Sequence, residues 1–328
     1  MFCNHTRRSA LACFVLAALG LTATWTQAQT AWPAKPVKII VPYPPGGAVD
    51  QVTRKIAQKL TEQTGQSFFV ENKAGATGTI GSSQVAQSTP DGYTLLANDT
   101  TYSMLPHVFK KLPWDYERDL VPVVAFNFAP FTLAVAAESK FKSLQELVAF
   151  AKSNPTKLTY GTGGPGSSPH FVTEALRSAA GIEVTHIPYK GAGEATLALL
   201  SGTIDFQMAS TPGVMGQVNA GKMRLLAVSG DRRLKRLPDV PTFKELGLKQ
   251  YGAINFTGLW VPKGTPPGVA ARLQKEVDAA MATADFQIFA DNLGAVPFTV
   301  NGSLFAKMLR DSMQKWGEVA TAAGIEKQ

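Results

Sequence analysis

Residues 37–65 read VKIIVPYPPGGAVDQVTRKIAQKLTEQTG. Val37, Ile39, Ile40 and Val41 make a short β-branched apolar run, the pattern of a strand buried on both faces. Pro42, Pro44, Pro45, Gly46 and Gly47 end it, because proline has no amide donor for a ladder and glycine admits turn conformations closed to other residues. From Asp50 the apolar positions Val52, Ile56 and Leu60 recur at helical spacing, and Gly65 is placed to stop that helix. A strand, a tight turn and an amphipathic helix in succession form one βα unit, the building block of an α/β fold.

The unit recurs outward from there. Strands are expected at 67–70, 93–97, 157–160, 184–187, 205–208 and 225–228, in a mostly parallel sheet. Helices are expected between them, ending near Val85, Ala180 and Leu200. Residues 112–122 read as irregular and proline-punctuated. Two segments echo each other: FTLAVAAES at 131–139 precedes a helix at 144–152, and FTGLWVPKG at 256–264 precedes one at 269–281. Both read as points where the chain passes into a new domain. The parse is a discontinuous lobe 1 (29–127 and 252–328) with lobe 2 (128–251) inserted, and two connections crossing between them form a hinge.

The chain has 328 residues, more than one hydrophobic core usually supports. With 45% hydrophobic and 17% charged residues, it is too apolar for disorder and too polar for a multi-span membrane protein. Arg7 and Arg8, the apolar stretch SALACFVLAALGLT at 9–22 and the small residues Thr26 and Ala28 read as a signal peptide cleaved after residue 28. A retained anchor would need a more apolar continuation than Trp25, Thr26 and Gln27, and Cys13 is too close to Arg8 for a lipoprotein site. Cleavage would remove Cys3 and Cys13, the two cysteines of the chain, and lower the formal charge from +8 to +6. Export excludes nucleic acid as a partner. The basic run 231–236 (DRRLKR) then reads as a solvated face.

Several motifs approach known chemistry without reaching it. Gly161-Thr162-Gly163-Gly164-Pro165-Gly166 matches the dinucleotide fingerprint, but the next strand leads to Pro188-Tyr189-Lys190 with no acid for a ribose. What remains is a glycine turn exposing amides at a helix start, an anion site by its physics. Residues 216–223 (GQVNAGKM) lack the hydroxyl of a P-loop. A hydrolase would need a nucleophile, a base and an orienter. Ser167 or Ser168 with His170 is the one candidate set, and His170 reads better as a capping or packing residue. His107 and His186 have no metal-spaced partners, so neither metal nor cofactor is expected.

One device repeats. Tyr43-Pro44-Pro45-Gly46-Gly47, Asn98-Asp99-Thr100-Thr101, Gly161 to Ser168, and Tyr189-Lys190-Gly191-Ala192-Gly193 all follow strands. Open α/β sheets bind ligands at strand C-terminal ends. Convergent neutral donors without an acid–base pair suit the binding of a small anion better than chemistry on it.

At these residues the chain resembles the Bug-type (TctC-like) extracytoplasmic solute-binding receptors of the tripartite tricarboxylate transporter family. The resemblance rests on KPVKIIVPYPPGGAVD, VENKAGATGTIGSSQVAQSTPDGYTLL, YGTGGPGSSPH, IPYKGAGEAT, LLSGTIDFQMAS, RLLAVSG and LPDVPTFKELG. Val52-Thr53-Arg54 stands where many members carry an Ala-Arg pair, a helix-packing change. The resemblance implies a type II periplasmic binding protein, two α/β lobes joined by a hinge with the ligand cleft between them, and no enzyme. It implies ligand contacts at Tyr43, Pro45, Gly46, Gly47, Asp50, Asn98, Thr100 and Thr101 from lobe 1. From lobe 2 it implies Thr162, Gly166, Ser167, Ser168, His170, Tyr189, Gly191 and Asp205, with Phe128 as a further wall. The expected ligand is a small carboxylate (amino acid, di- or tricarboxylate, or aromatic acid). The expected setting is a monomer in the periplasm that docks on the permease subunits of the transporter, or that feeds a sensor kinase.

Overall fold

In the computed structural model, which describes residues 32–248 and 253–328, the unit at 37–65 forms as strand β1 (Val37–Val41) and helix α1 (Ala48–Thr64). Gly65 closes the helix in the left-handed region at φ 69°, its amide donating to the Thr61 carbonyl. The expected signal peptide, residues 1–28, lies outside the described residues.

Strands β2 (Phe68–Asn72) and β3 (Thr94–Asp99) flank β1 in parallel. A second parallel set is β5 (Thr159–Thr162) between β6 (Thr185–Pro188) and β7 (Phe206–Ser210). The expectation of a mostly parallel sheet fails between these sets. There β4 (Leu120–Ala136) pairs antiparallel with β7, β8 (Met223–Val228), β9 (Ile254–Pro262) and β10 (Val296–Asn301), and β9 pairs antiparallel with β3. The result is one mixed ten-stranded sheet in the order β2-β1-β3-β9-β4-β7-β5-β6, with β8 and β10 also on β4.

β4 is the largest departure from the sequence reading, which left 112–122 irregular and started a strand at 131. The strand starts at Leu120 and runs through Pro122 and Pro130. Both prolines fall where a missing amide costs little. Pro122 borders a register shift, and Pro130 is the last residue paired with β9. A second shift lies between Phe126 and Phe128, with Asn127 between them at φ 52°. Up to Pro130 the strand belongs to the β9 and β10 side, and from Phe131 onward to the β7 and β8 side. Ser229 ties this change of side to the returning chain. Its amide donates to the Phe131 carbonyl at 2.7 Å, its Oγ accepts the Phe131 amide at 2.8 Å, and its hydroxyl donates to the Ala253 carbonyl.

Helices cover both faces. The remaining ones are α2 (Thr79–Ala86), α3 (Leu105–Val108), α4 (Leu144–Ser153), α5 (Ser168–Ala180), α6 (Ala192–Leu200), α7 (Thr211–Asn219), α8 (Pro267–Met281), α9 (Ala284–Asn292) and α10 (Gly302–Ala323). One core gathers Ile40, Leu96, Phe128, Phe256, Trp260, Phe305 and Leu309. Another gathers Phe131, Leu133, Tyr160, Phe171, Phe206, Trp316 and Ala320. Helix α10 contributes to both. Residues Lys35–Gln328 make one compact unit, and no helix among the described residues is long and apolar enough to cross a membrane.

Gly258, on β9, shows how tightly the first core is filled. A Cβ there would lie 2.5 Å from Phe305 Cζ and 3.0 Å from the Trp260 ring. Gly258→Val should therefore lower unfolding free energy by about 1–3 kcal/mol, as overpacking does. Urea unfolding read by tryptophan fluorescence checks this, and an unchanged midpoint would show that the ring stack yields freely.

Candidate functional site

The strand C-terminal ends of the two parallel sets open onto one cavity of about 480 Å³. The β1–α1 turn contributes Tyr43 to Gly47. Asp99 and Thr101 come from the end of β3, Gly163, Ser167 and Ser168 from the β5–α5 turn, and Gly191 to Glu194 from the β6–α6 turn. Gln207, Ala209 and Ser210 of β7 and Phe131 of β4 complete the floor.

The first turn is built around Asp50, which is buried at 3% exposure. It accepts the Gly46 amide at 2.9 Å, Arg54 Nε at 3.0 Å and Asn72 Nδ2 at 2.8 Å. Burial pushes its pKa up, but the hydrogen bonds from Arg54, Gly46 and Asn72 outweigh that and leave the carboxyl below its ordinary value. The same Asn72 amide reaches the Tyr43 carbonyl, so β2 holds the loop that follows β1. Gly46 sits at φ 84°, where a Cβ would be strained.

At the end of β3, Tyr43 donates its hydroxyl hydrogen between Asn98 Oδ1 at 2.6 Å and Asp99 Oδ1 at 3.1 Å. Asp99 also accepts the Thr101 amide at 2.9 Å. Burial raises the Asp99 pKa against the pull of its hydrogen bonds, and burial with the Asp99 charge raises that of Tyr43. Thr100 faces away, bonded to Ile254 and Phe256 of β9.

In the β5–α5 turn, Ser167 Oγ donates to the Gly164 carbonyl at 2.8 Å, and His170 Nδ1 accepts the Gly166 amide at 3.2 Å. Ser167 and His170 are thus engaged elsewhere, and among the described residues no hydrogen bond joins Ser167 or Ser168 to His170 through their side chains. The His170 ring stacks on His186 at 4.4 Å, and His186 in turn meets Thr162 Oγ1 at 2.7 Å.

Of the residues expected at the site, Tyr43, Pro45, Gly46, Gly47, Thr101, Ser167, Ser168 and Gly191 line the cavity. Asp50, Asn98, Thr100, Thr162, Gly166, His170 and Tyr189 stand behind it as the scaffold of the loops. Asp205 holds the opposite end of β5, accepting the Thr159 amide and hydroxyl. Phe128 packs in the core against Phe298, and Phe131 lines the cavity in its place. The sequence reading passed over Asp99, Thr196, Gln207 and Ser210. A polar residue inside or at the end of an apolar strand, as in FQMAS, was the available signal.

Four helices start at the cavity wall: α1 after Gly47, α5 after Ser167, α6 after Gly191 and α7 after Ser210. None of these four N-cap residues caps its helix with a side chain, whereas Ser143 and Thr283 cap α4 and α9. The positive dipole ends of the four helices therefore lie at the cavity wall, although in α5 the Ser168 amide is taken by Thr101 Oγ1 and Pro169 carries no amide hydrogen. Among the described residues, no lysine or arginine lines the cavity. Among the described residues, no group of three or more His, Cys, Asp or Glu side chains could hold a metal. The two walls touch: Thr77 Oγ1 donates to the Pro165 carbonyl at 2.8 Å, the Ser168 amide donates to Thr101 Oγ1 at 3.1 Å, and Pro44 packs on Gly191.

The stacked histidines set a pH dependence. Burial pushes His170 down to about 4, with the Arg177 charge adding to it, and burial with the neighbouring His170 does the same to His186. Unfolded rings titrate near 6.5, so the unfolded chain binds protons that the folded one refuses. This contribution is complete above pH 6.5 and is lost as pH falls toward 4. The melting temperature should drop between pH 7 and 4.5, with a shallower drop in His186→Gln. Parallel pH profiles for the two proteins would contradict the assignment.

The profile of the family described as "Tripartite tricarboxylate transporter family receptor" matches residues 52–325. BugT of Bordetella pertussis is 33% identical over 330 residues, covering 98% of this chain and 99% of its own. The periplasmic binding protein BugD superposes with a TM-score of 0.86 at 32% identity, over 90% of this chain and all of that one. An R. palustris protein solved with adipate superposes with a TM-score of 0.87 at 29% identity, over 90% of this chain and all of that one. The family profile describes a receptor, and the fold this chain shares with BugD is that of a periplasmic binding protein. The chain belongs to the receptor (TctC) family of the tripartite tricarboxylate transporters.

Proposed function

We propose that this protein captures a small carboxylate in the periplasm and delivers it to the membrane permease of a tripartite tricarboxylate transporter. Capture proceeds by closure of lobe 1 (29–127 and 252–328) on lobe 2 (128–251), exported by the segment 1–28 and acting as a monomer. The observation that carries this reading is the convergence of four helix N-termini without side-chain caps on a cavity lined, among the described residues, by no lysine or arginine. Such a site meets negative charge with fixed amide dipoles, and it does so in a space suited to a small organic acid. The adipate-bound relative supports a carboxylate as the ligand class.

Closure follows from the placement of donors on both walls. A ligand that bridges them binds the closed form more tightly than the open one, and this differential affinity shifts the population. The change of side at Pro130/Phe131, stitched by Ser229 to Ala253, is where the chain bends.

Thermal melting with a panel of mono- and dicarboxylates, adipate included, tests the reading. At least one acid should raise the melting temperature and be recovered unconsumed. No shift from any acid, or turnover that disappears in Ser167→Ala, would sink it. Gly47→Val tests the site itself. Gly47 has φ −73°, and its Cβ would meet only the Pro44 carbonyl at 3.8 Å, so the fold accepts valine. The branched side chain then occupies the anion turn and should weaken binding by roughly tenfold or more, a loss of about 1.4 kcal/mol. Unchanged affinity by calorimetry would remove that turn from the site.

A further inference from the structure

Among the described residues, two carboxylates and no cationic side chain line the cavity. One of them, Glu194, is exposed, and its Oε2 accepts the Lys190 amide ahead of its own helix. Asp99 is different. It is 8% exposed, and the hydrogen bonds that reach it come from neutral groups: the Tyr43 hydroxyl, the Thr101 amide and the side chains of Thr101 and Asn255. Among the described residues, no lysine, arginine or histidine forms an ion pair with it. A buried carboxylate without a counter-charge is costly, and proteins ordinarily pair such groups. Nearby cations pair elsewhere: Arg54 is spent on Asp50, and Lys73 on Glu71.

Position gives the missing charge a source. Thr101 joins Asp99 to the start of α5. Its amide donates to Asp99 Oδ1 at 2.9 Å, and its Oγ1 accepts the Ser168 amide at 3.1 Å. The positive dipole end of α5 and the buried Asp99 carboxylate therefore flank a single residue, although the Ser168 amide itself is taken by Thr101. In an α-amino acid, ammonium and carboxylate are carried on one carbon. A dicarboxylate placed there would set one of its own charges against Asp99, a like-charge contact in a poorly solvated space.

We infer that Asp99 seats a ligand ammonium group, so that the ligand of this receptor is an amino acid whose carboxylate lies at the start of α5. The inference rests on the carboxylate-receptor reading above and narrows it. Tyr43 is then a positioning residue, because its hydroxyl fixes Asp99 against Asn98 and holds the carboxylate toward the cavity. Specificity arises because an acid lacking nitrogen leaves the buried Asp99 charge unanswered.

Calorimetry on the purified protein with matched pairs tests this: glutamate and glutarate, aspartate and succinate, leucine and 4-methylpentanoate, phenylalanine and 3-phenylpropanoate. Within whichever pair fits the cavity, the amino member should bind roughly tenfold more tightly or better, the worth of a hydrogen bond to a charged group. In Asp99→Asn, which keeps the shape and removes the charge, that preference should fall to within about threefold. A deaminated acid that binds the wild-type protein as well as its amino partner overturns the inference and leaves the receptor reading standing. So does a preference that survives in Asp99→Asn. If no acid of either kind binds, the receptor reading falls and this inference with it. Should Asp99→Asn fail to fold, the wild-type comparison alone decides.

Discussion

The pairing of β4 on both of its edges is the constraint on which the rest of the molecule depends. Antiparallel register propagates direction. Since β3 runs antiparallel to β9, and β9 antiparallel to β4, the set β1-β2-β3 points the same way as β4. Since β7 runs antiparallel to β4, the set β5-β6-β7 points the opposite way. Asp99 at the end of β3 is level with Thr257, which is level with Phe126, and Ser210 at the end of β7 is level with Phe131. The two sets of C-terminal ends thus face each other over a few residues of one strand. A slip of β4 by one residue would exchange its side chains between two buried faces packed for different shapes, which is why register this deep in a sheet is firmly specified.

That arrangement explains why the cavity works with helix starts and not with charged side chains. Each parallel strand hands over to a helix, and each helix starts where its strand ends, so opposed strand ends bring opposed positive dipole ends. Glycine or serine at the N-cap keeps the approach open, and neither the Ser167 nor the Ser210 hydroxyl blocks the amides of its own helix. Preorganised amides cost little side-chain ordering on binding, in contrast to the long, flexible lysine and arginine chains. Under the proposed function, a receptor that must release its ligand would gain from recognition shared among many modest donors on two walls.

The repeating βα plan was legible because burial on both faces leaves continuous apolar runs, as in VKIIV, and because glycine and proline punctuate them. The N-terminal half of β4 was not legible. Pro122 and Pro130 read as breaks, and only the pairing with β9 reveals that they sit at a register shift and a ladder end. Elements after Met281 drew no reading, yet α10 supplies both cores. At the site the loops were legible and the orientation of side chains within them was not. Asp50 and Asp99 both lie next to a strand-end turn. Arg54, four residues on, hints that Asp50 is spoken for, but the decisive Asn72 contact depends on the pairing of Val41 with Asn72 across two strands. Residues that brace a glycine turn and residues that bind through it are drawn from the same types, and sequence alone does not sort them.

Helix α10 constrains how two walls of such a cavity can move. Chain crossings at Pro130/Phe131 and between Ser229 and Ala253 lie side by side, joined by the Ser229 hydroxyl, and together define a line. Two tethers on a line permit rotation about it. The helix is a third link: Phe305 and Leu309 lock into one core, and Trp316 and Ala320 into the other, two to three turns along a rigid rod. Twisting or sliding one side past the other would drag one pair of anchors out of its core, and burying a Phe or Trp side chain is worth about 1.5–3 kcal/mol or more. Rotation about the line bends the turns of α10 between Leu309 and Trp316, where Ser103 and His107 hold Ser312 and Met313, and it parts the Thr77–Pro165 and Thr101–Ser168 contacts between the walls. Of these motions, rotation about the line keeps both pairs of anchors in their cores, and it is the motion that the proposed closure needs.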